Sequence, residues 1–386
     1  MASAGATAAP GLDVAFDATP LLGARAGVGA FCVGALAALA DVETLSIRAF
    51  AVSWRRRGHI VEHLPAGIAT VDRPMPARPV HLAWRSGSLP PIEWWTGRID
   101  VVHGTNFVVP PARRAARVLT VHDLTTVRYP EMCDDYTRTF PVLVRKAIRA
   151  GSWVHTPSDF VREEVIELLG APPERVRAVH HGVPAVAAEA GASGLDGAVQ
   201  PVPEGPYVLA LGTVEPRKDL AALVRAFDAV AGRHRDVSLV LAGRPGWAME
   251  ELEAAVAASP WKERVVRLGY VSQAQRSRLL RRATLFAYPS VYEGFGFPPL
   301  EAMLAGVPVV ATSAGALPEV VGGGAQLVAP GDVDGLAGAI DRLLVDDVAR
   351  AELVEMGFHR VRSYSWEACA AGLASLYESA ATAAGS

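Results

Sequence analysis

Two carboxylates eight residues apart are the first candidates for chemistry in this chain. The stretch SVYEGFGFPPLEAMLAGVPVVAT places Glu293 in a glycine-rich segment and Glu301 in the helix that follows it. With 3.6 residues per turn, Glu301 falls within the arc of an apolar stripe formed by Phe297, Leu300 and Leu304. A carboxylate is costly to bury without hydrogen bonds. We therefore expect Glu301 to pair with an arginine or to accept hydrogen bonds from ligand hydroxyls, such as those of a ribose.

The start of the same helix is suited to an anion. Pro298 and Pro299 occupy the first turn, where backbone N–H groups have no helical partner, and Gly294 and Gly296 keep side chains away from the approach. The remaining free N–H groups and the positive end of the helix dipole favour a phosphate there. Glu293 stands at the mouth of this predicted site, where it can hold sugar hydroxyls.

A second anion site is predicted in GTVEPRKDL, where a strand ends at Gly212 and an apolar-faced helix follows. Arg217 and Lys218 lie at the start of that helix, where two cations are unfavourable unless something neutralises them. Glu215 could neutralise one of them, whereas a bound diphosphate would neutralise both, and we favour the diphosphate. Lys218 is one of three lysines among 37 basic residues, which indicates that a compact ammonium is wanted at this position.

Two features of the first half could complete the site. His122 directly follows a buried run in LTVHDLT, and a position at the end of a strand favours a role in a cleft over simple packing. Gly27 and Gly29 lie in ARAGVGAF ahead of a helix, but their spacing to Cys32 does not match a dinucleotide fingerprint. We interpret them as a flexible loop that closes on a ligand.

The elements that must position these residues form an α/β pattern. Short apolar runs alternate with helical segments, which is typical of parallel sheets covered on both faces. The runs lie at residues 12–22, 45–52, 99–104, 116–123 and 151–158, and again at 207–214, 237–243, 264–271, 284–290, 307–313 and 325–330. A chain of 386 residues is too long for one ordinary core. We therefore expect two doubly wound domains facing across a cleft.

The domain boundaries follow from composition. Residues 185–206 are rich in small residues, Gly and Pro and carry no periodic pattern, so they are predicted to be a linker. The first domain is then 1–190 and the second 207–364, and a C-terminal helix in 365–386 could pack back on the first domain.

Charge and cysteine content exclude some classes of protein. A net charge of −3 argues against a general nucleic-acid binder. Cys32, Cys133 and Cys369 have no metal-ligand spacing and fit a reducing compartment, so no metal held by thiolates is expected. There is no apolar run near the ~20 residues of a membrane span and no signal-like N-terminus, so we expect a cytoplasmic protein.

The charge is unevenly distributed. Residues 51–150 hold fifteen Arg or Lys against eight Asp or Glu, a local balance of +7. A solvated surface is the simpler interpretation. The alternative is a basic face for an anionic membrane or a phosphate-bearing acceptor, and Trp84, Trp94 and Trp95 between WRRRGH and ARRAARV fit a membrane interface.

Several of these stretches together resemble glycosyltransferase family 4, whose members are retaining enzymes of the GT-B fold. The resemblance rests on the E-x7-E spacing of Glu293 and Glu301 within YEGFGFPPLEAMLAGVPVV, and on GTVEPRKDL, LGYV, TVHDL and HGTNFVVPP. It runs from about Phe16 to Trp366. EPRKDL and HGTNFVVP are similar to the branch that contains GDP-mannose-dependent mannosyltransferases.

The resemblance implies a role for each matching position. Arg217 and Lys218 would clamp the donor diphosphate, and Glu293 would bind hydroxyls of the donor sugar. Glu301 would bind the ribose, and His122 would approach the sugar from the first domain. The other implied donor-binding positions are Gly27, Gly29, Tyr270, Val271, Gly294, Phe295, Gly296 and Phe297.

The chain departs from the family pattern at one point. The family's arginine usually stands soon after the strand's glycine, with the lysine several residues on. Here Thr213 follows Gly212, and Arg217 and Lys218 are adjacent. Which cation meets which phosphate therefore stays open.

The implied function is retaining transfer of a hexose, with mannose from GDP-mannose as first choice, from a nucleotide-sugar to a glycan or lipid-linked acceptor. Fixed positive charge would stabilise the leaving diphosphate. Because Arg217 and Lys218 supply that charge, no metal or other cofactor is expected. No protein nucleophile is evident, since Glu301 is assigned to the ribose. The resemblance implies attack from the front face, with the leaving phosphate helping to deprotonate the acceptor.

Other functions remain open at this point. A UDP-sugar donor carrying glucose or N-acetylglucosamine would suit the same half-sites. A nucleotide-sugar epimerase or a non-catalytic sugar-nucleotide-binding protein could share the architecture, whereas a dehydrogenase is disfavoured by the missing glycine fingerprint. The acceptor, the linkage and the oligomeric state are not indicated by the sequence.

Overall fold

The chain folds around two parallel β-sheets that follow one another in sequence. A computed structural model describes residues 11–23, 27–184, 186 and 202–385, without the side chains of Arg57 and Ser86. The first sheet has seven strands in the order β3-β2-β1-β4-β5-β6-β7, and the second has six in the order β10-β9-β8-β11-β12-β13. The strands are β1 Leu12–Asp17, β2 Leu45–Phe50, β3 Ala69–Thr70, β4 Val101–Gly104, β5 Ala116–Thr120, β6 Trp153–Thr156, β7 Val176–Ala178, β8 Tyr207–Leu211, β9 Ser238–Ala242, β10 Val265–Gly269, β11 Leu285–Tyr288, β12 Val309–Thr312 and β13 Ala325–Val328.

Both sheets are doubly wound, with the strand order reversing beside β1 in the first and beside β8 in the second. Every pairing is parallel; for example, Val14 lies opposite Ile47 on one side and Val101 on the other. Such a reversal opens a crevice at the carboxyl ends of the strands, which is where ligands bind in sheets of this kind.

Helices cover both faces of each sheet. They are α1 Val28–Leu39, α2 Ala77–Ser86, α3 Glu93–Thr96, α4 Thr125–Arg128, α5 Phe140–Arg149, α6 Asp159–Leu169, α7 Leu220–Arg233, α8 Met249–Ala258, α9 Gln273–Arg282, α10 Phe297–Leu304, α11 Leu317–Val321, α12 Val333–Val345, α13 Asp347–Val361 and α14 Trp366–Gly385. None of the helices in the described part of the chain combines the length and apolar character that a membrane crossing requires.

The last helix packs on the first sheet rather than the second. Leu373 and Tyr377 of α14 are buried in the same apolar cluster as Phe31 and Leu36 of α1. Trp366, at the start of α14, lies so close to Gly182 that a Cβ there would come within 2.5 Å of its ring. The chain therefore crosses from the second domain back onto the first at this tryptophan.

Polar contacts hold the two domains together beside the crevice. The backbone N–H groups of Asp159 and Phe160, at the start of α6, each donate to Glu319 of the second domain at 2.9 Å. Ser158 Oγ donates to the carbonyl of Gly294 at 2.8 Å. Glu319 thus caps a first-domain helix, and these contacts fix the relative position of the residues that face the crevice.

The structure departs from the sequence-based prediction of the elements at β3, at β7 and at Leu304. The edge strands β3 and β7 were not predicted, because segments of two and three residues carry almost no periodic signal. Leu304 is exposed rather than part of a buried stripe, because α10 ends at this residue. Most of the predicted linker, 185–206, lies outside the described residues.

Candidate active site

A cavity of about 330 Å³ lies in the crevice and is lined by both domains. Most of the residues predicted to bind a ligand line it, namely Gly27, His122, Arg217, Lys218, Glu293, Gly294, Phe295, Gly296, Phe297 and Glu301. Gly29, Tyr270 and Val271 were also predicted but are not among the lining residues. A volume of this size suits a small molecule that is largely enclosed.

The centre of the cavity is a buried charge cluster around Glu293. One carboxylate oxygen, Oε1, lies 2.5 Å from Lys218 Nζ and accepts a hydrogen bond from the Tyr288 hydroxyl at 2.9 Å. The other, Oε2, accepts from Arg217 Nη1 at 2.8 Å, and Arg217 Nε pairs with Glu215 at 3.0 Å. Glu293 and Glu215 together therefore balance the charges of the two cations that were expected to meet a diphosphate.

Backbone contacts hold this cluster in place. Arg217 and Lys218 lie in a short 3₁₀ turn, Pro216–Lys218, rather than in α7, which Asp219 caps through its side chain. The carbonyl of Arg217 accepts the N–H of Val291, which ties this turn to the loop carrying Glu293. The N-terminus of α7 is therefore capped by Asp219, and Arg217 and Lys218 line the cavity instead.

The environment strongly affects the charges in this cluster. Burial by itself would raise the pKa of Glu293, but the facing Arg217 and Lys218 outweigh it and lower that pKa to about 2. Burial and the neighbouring Arg217 lower the pKa of Lys218, which Glu293 partly offsets. Glu293 therefore stays ionised, and the ammonium of Lys218 depends on a nearby negative charge.

The loop before α10 is shaped by its glycines. Gly296 caps α10 with φ of 113°, a conformation that disfavours any other residue. A Cβ on Gly294 would lie 1.8 Å from the backbone oxygen of His122, so the loop can approach the first domain only without a side chain. The segment from Gly294 to Phe297 thereby lines the cavity, and of the first three residues of α10 only Phe297 has a backbone N–H, because the next two are prolines.

Glu301 lies one turn into α10 and pairs with Arg276 of α9. Arg276 Nε is 2.6 Å from Glu301 Oε2, although its N–H is not directed at that oxygen, so the contact is an ion pair without a well-aligned hydrogen bond. Burial raises the pKa of Glu301, and Arg276 partly offsets the effect. Both side chains line the cavity, so the carboxylate has an arginine partner and also faces the space for a ligand.

His122 enters the cavity from the first domain. Its Nε2 lies 2.7 Å from the carbonyl of Thr105, which can only accept, so Nε2 carries the proton. Burial lowers the pKa of His122, with smaller opposing effects from Thr105 and Asp123, and the ring is therefore neutral. The remaining nitrogen, Nδ1, is then an acceptor suited to a hydroxyl group.

Behind His122, a chain of buried hydrogen bonds fixes two further histidines. His155 Nε2 donates to the carbonyl of Val179 at 3.0 Å, so its Nδ1 accepts from the hydroxyl of Thr120 at 2.9 Å. His103 Nε2 then donates to Thr120 at 2.7 Å, and His103 Nδ1 accepts from the Tyr377 hydroxyl at 2.7 Å. Burial lowers the pKa of both rings, to about 3 for His155, and the fixed proton order requires both to be neutral.

The three predicted positions outside the cavity have other surroundings. Tyr270 is 60% exposed and its ring lies 4.6 Å beneath the guanidinium of Arg244. Val271 packs partly buried against the core of the second domain. Gly29 is buried within α1 rather than in a loop, because the helix already begins at Val28. The residues just before it, 24–26, lie outside the described part of the chain.

Among the described residues, one group with ligand atoms spaced for a metal and one Asp-x-Asp sequence lie outside the cavity lining. Asp159, His180 and Glu319 have side-chain atoms within 4.8 Å of one another, but Glu319 already accepts from the backbone of α6 and from His180 at 2.9 Å. Asp332 and Asp334 form an Asp-x-Asp spacing; both are exposed, and Asp332 caps α12. We assign these carboxylates to helix capping and the surface.

Sequence reasoning missed several lining residues. Tyr288 is the last residue of a buried strand, a position that the strand-end argument could have found. Arg276 lies on a helix rich in arginine, and nothing in the sequence distinguishes it from its neighbours. His181 follows β7, a strand too short to predict, so its position beside the cavity was not visible.

Comparison with known proteins agrees with this geometry. The profile described as glycosyltransferase family 4 matches residues 35–186, and that described as glycosyl transferases group 1 matches residues 205–346. O-antigen chain mannosyltransferase B of Escherichia coli is 33% identical over 276 residues, covering 70% of this chain and 71% of that protein. Phosphatidyl-myo-inositol mannosyltransferase of Mycobacterium leprae is 36% identical over 182 residues, covering 46% of this chain and 48% of that protein.

Solved structures share the fold over nearly the whole chain. Sucrose-phosphate synthase from Thermosynechococcus elongatus superposes with a TM-score of 0.72 at 19% identity, covering 96% of this chain and 100% of that one. Anabaena HepE in complex with UDP and glucose gives a TM-score of 0.69 at 18% identity, covering 95% and 100%. The chain therefore belongs to glycosyltransferase family 4, and it is a glycosyltransferase with the GT-B fold.

Proposed function

We propose that the protein transfers a mannosyl group from GDP-mannose to a saccharide or lipid-linked acceptor, with retention of configuration at the anomeric carbon. The observation that carries the proposal is the charge cluster in which Arg217 and Lys218 face a cavity opposite His122. The choice of mannose follows the Escherichia coli and Mycobacterium leprae relatives, both of which are mannosyltransferases.

The donor fits the cavity in a definite orientation. We place the diphosphate between the Arg217–Lys218 pair and the start of α10, where fixed positive charge and the N–H of Phe297 favour it. The ribose reaches Glu301, and the sugar lies between Glu293 and His122. In this arrangement the diphosphate takes over the neutralisation of Arg217 and Lys218, which frees Glu293 to accept hydrogen bonds from the sugar.

The chemistry then needs no protein nucleophile. The bond between the anomeric carbon and the phosphate oxygen breaks, and the acceptor oxygen bonds to the same face of that carbon. The acceptor proton passes to the oxygen of the leaving phosphate, so all atoms and charges balance. Arg217 and Lys218 stabilise the charge that develops on the leaving group, in a site where they are already in position.

Because these two cations supply the charge, we propose that transfer proceeds without a divalent metal. The test is calorimetric titration of GDP with and without EDTA, for which we expect equal affinities. Loss of affinity on chelation would contradict the arrangement. The same preparation, tested for a rise in melting temperature with GDP-mannose, UDP-glucose and UDP-N-acetylglucosamine, identifies the donor, because a ligand that binds the native state must stabilise it. A larger shift with a UDP-sugar would replace mannose in the proposal.

The acceptor is proposed to be membrane-borne, on the basis of the first domain's surface. Trp54, Leu82 and Val142 are exposed by 57%, 68% and 67%, within the region whose charge balance is +7. Apolar side chains beside arginines suit the headgroup layer of an anionic bilayer. Of the three tryptophans predicted from the sequence to face a membrane, only Trp94 is exposed. Trp84 is buried and donates to the Pro90 carbonyl, and Trp95 is partly buried and donates to the Pro74 carbonyl.

A further inference from the structure

His181 is a buried polar side chain without a partner at the wall of the active-site cavity. It is 1% exposed, and neither of its ring nitrogens has a hydrogen-bond partner among the described residues. The other histidines nearby differ in this respect, since His103 and His155 use both nitrogens and His122, which is partly buried, uses one. A buried polar group left unpaired destabilises a protein, so its presence calls for a reason.

The ring is held in one orientation by aromatic side chains from both domains. It stacks on Phe31 of the first domain, with centroids 4.3 Å apart, and on Phe297 of the second, at 5.4 Å. Its backbone is equally fixed, because Gly182 packs directly against Trp366 and the N–H of Val183 donates to the carbonyl of Tyr364. Such a clamp orients the two nitrogens and prevents the ring from turning to find a partner within the protein.

The surroundings of His181 define the chemistry that it can meet. The lining residues around it include Gly27 and Val28 at the start of α1, and Gly296 and Phe297 at the start of α10. The N-termini of two helices thus border the same part of the cavity, which favours an anion. His122, whose ring centroid lies 5.7 Å from that of His181, borders the part assigned to the sugar.

We propose that His181 binds the sugar-phosphate part of the donor, donating one ring N–H to a phosphoryl oxygen and accepting a hydrogen bond at its other nitrogen from a sugar hydroxyl. This inference rests on the proposed function. A neutral imidazole has one donor and one acceptor. A sugar phosphate offers, on neighbouring atoms, a phosphoryl oxygen that accepts from the N–H and a hydroxyl that donates to the other nitrogen. A nucleoside bound at the far end of the cleft offers neither group near His181. Burial lowers the pKa of His181 well below its usual value, which keeps the ring neutral.

The experiment compares variants that separate packing from hydrogen bonding. His181→Phe keeps an aromatic ring between Phe31 and Phe297 but removes both nitrogens. His181→Asn and His181→Gln place an amide near the positions of Nδ1 and Nε2, respectively. Each variant is tested by thermal unfolding without ligand, and by calorimetric binding of GDP-mannose, GDP and guanosine.

We expect H181F to unfold at the same or a higher temperature than the wild type, because an unpaired buried group has been removed. Its affinity for GDP-mannose should fall about ten- to hundredfold, the effect of losing hydrogen bonds to a charged group. Its affinity for GDP should fall less, and that for guanosine should not change. One of the two amide variants should recover part of the loss, and thereby identify the nitrogen that meets the phosphate.

Two results would overturn the inference. Unchanged GDP-mannose affinity in H181F would leave His181 a packing residue, and an equal loss for guanosine would mean that the cleft as a whole is distorted. Should H181F fail to fold, the same comparison is made between H181N and H181Q, and equal wild-type affinity in both contradicts the proposal. Ligand binding by the wild-type protein tests the proposed function separately. If the wild type binds UDP-glucose rather than GDP-mannose, the proposed donor is wrong, and the His181 variants are then tested with UDP-glucose, UDP and uridine.

Discussion

Glu293→Gln tests the charge balance of the active site. In the free protein, Glu293 is 6% exposed and its carboxylate holds both Arg217 and Lys218. The amide keeps the shape of the side chain but removes its charge, which leaves buried Lys218 without a carboxylate and Arg217 with Glu215 alone. Removing one partner of a buried ion pair costs about 3–5 kcal/mol of folding free energy. For a domain of this size each kcal/mol corresponds to about 2–4 °C, so the second domain should unfold about 6–20 °C lower.

The same substitution should strengthen binding of the diphosphate. In the wild type, an incoming GDP must compete with Glu293 for the two cations, whereas in E293Q it meets Lys218 without a carboxylate and Arg217 paired with Glu215 alone. GDP at a hundred times its dissociation constant stabilises the wild type by about 2.7 kcal/mol. At the same GDP concentration the variant should gain more, so that GDP largely restores its melting temperature. Mannosyl transfer should nevertheless fall, because the carboxylate that holds the sugar is gone.

Differential scanning calorimetry with and without GDP, together with titration calorimetry, measures both effects. Glu215→Gln is the matched control: it removes a carboxylate from the same Arg217 but leaves Lys218 paired with Glu293, so a smaller destabilisation is expected. If E293Q unfolds at the wild-type temperature, or binds GDP no more tightly than the wild type, Glu293 does not neutralise the clamp and the reasoning is wrong.

Three further predictions follow from separate parts of the molecule. Glu301→Ala should weaken donor binding at least about tenfold. Arg276→Ala breaks the same ion pair but should leave most of the donor affinity. If both variants lower the melting temperature equally and leave donor affinity unchanged, the ion pair is purely structural. The pKa of His155 is about 3 in the folded protein. As the pH falls from about 6.5 towards 3, His155 therefore gains a proton in the unfolded chain but stays neutral in the folded one. The free energy of unfolding should fall by up to about 4–5 kcal/mol over that pH range. Urea unfolding of His155→Gln should show a free energy of unfolding that depends less steeply on pH. Co-sedimentation with anionic vesicles should occur at low salt, decrease at 1 M salt and weaken when Arg55, Arg56 and Arg57 become serine; no binding at low salt would leave a soluble acceptor.

The sequence predicted the architecture because buried parallel strands are nearly continuous apolar runs. Each of the eleven predicted runs overlaps an observed strand, usually with one to three extra residues at an end. The two missed strands, β3 and β7, are short edge strands, where neither length nor burial leaves a pattern. Because β7 was not predicted, His181, which lies just beyond it, could not be placed beside the cavity from the sequence.

Site residues could be predicted where a polar or charged side chain comes shortly after a buried strand. Their hydrogen-bond and ion-pair partners could not, because those come from distant segments of the chain. Glu293, Arg217 and His122 all stand shortly after buried strands, and all line the cavity. Their partners were not visible: Arg276 reaches Glu301 from another helix, and Tyr288 joins Lys218 through a contact between residues 70 positions apart. Such pairings depend on how two helices and two loops meet, which a single sequence does not encode in any local pattern.

The pairing of Glu293 with Arg217 and Lys218 gives the active site a property that neither half-site has alone. Two buried cations without a counter-ion would be costly in the absence of donor, and Lys218 would tend to lose its proton. Glu293 and Glu215 lower that cost, and we propose that a bound diphosphate takes the place of Glu293 beside the cations. Glu293 would then be available to accept hydrogen bonds from the sugar. On this proposal, binding of the leaving group and positioning of the sugar are coupled, which would account for a carboxylate and two cations in the same buried pocket.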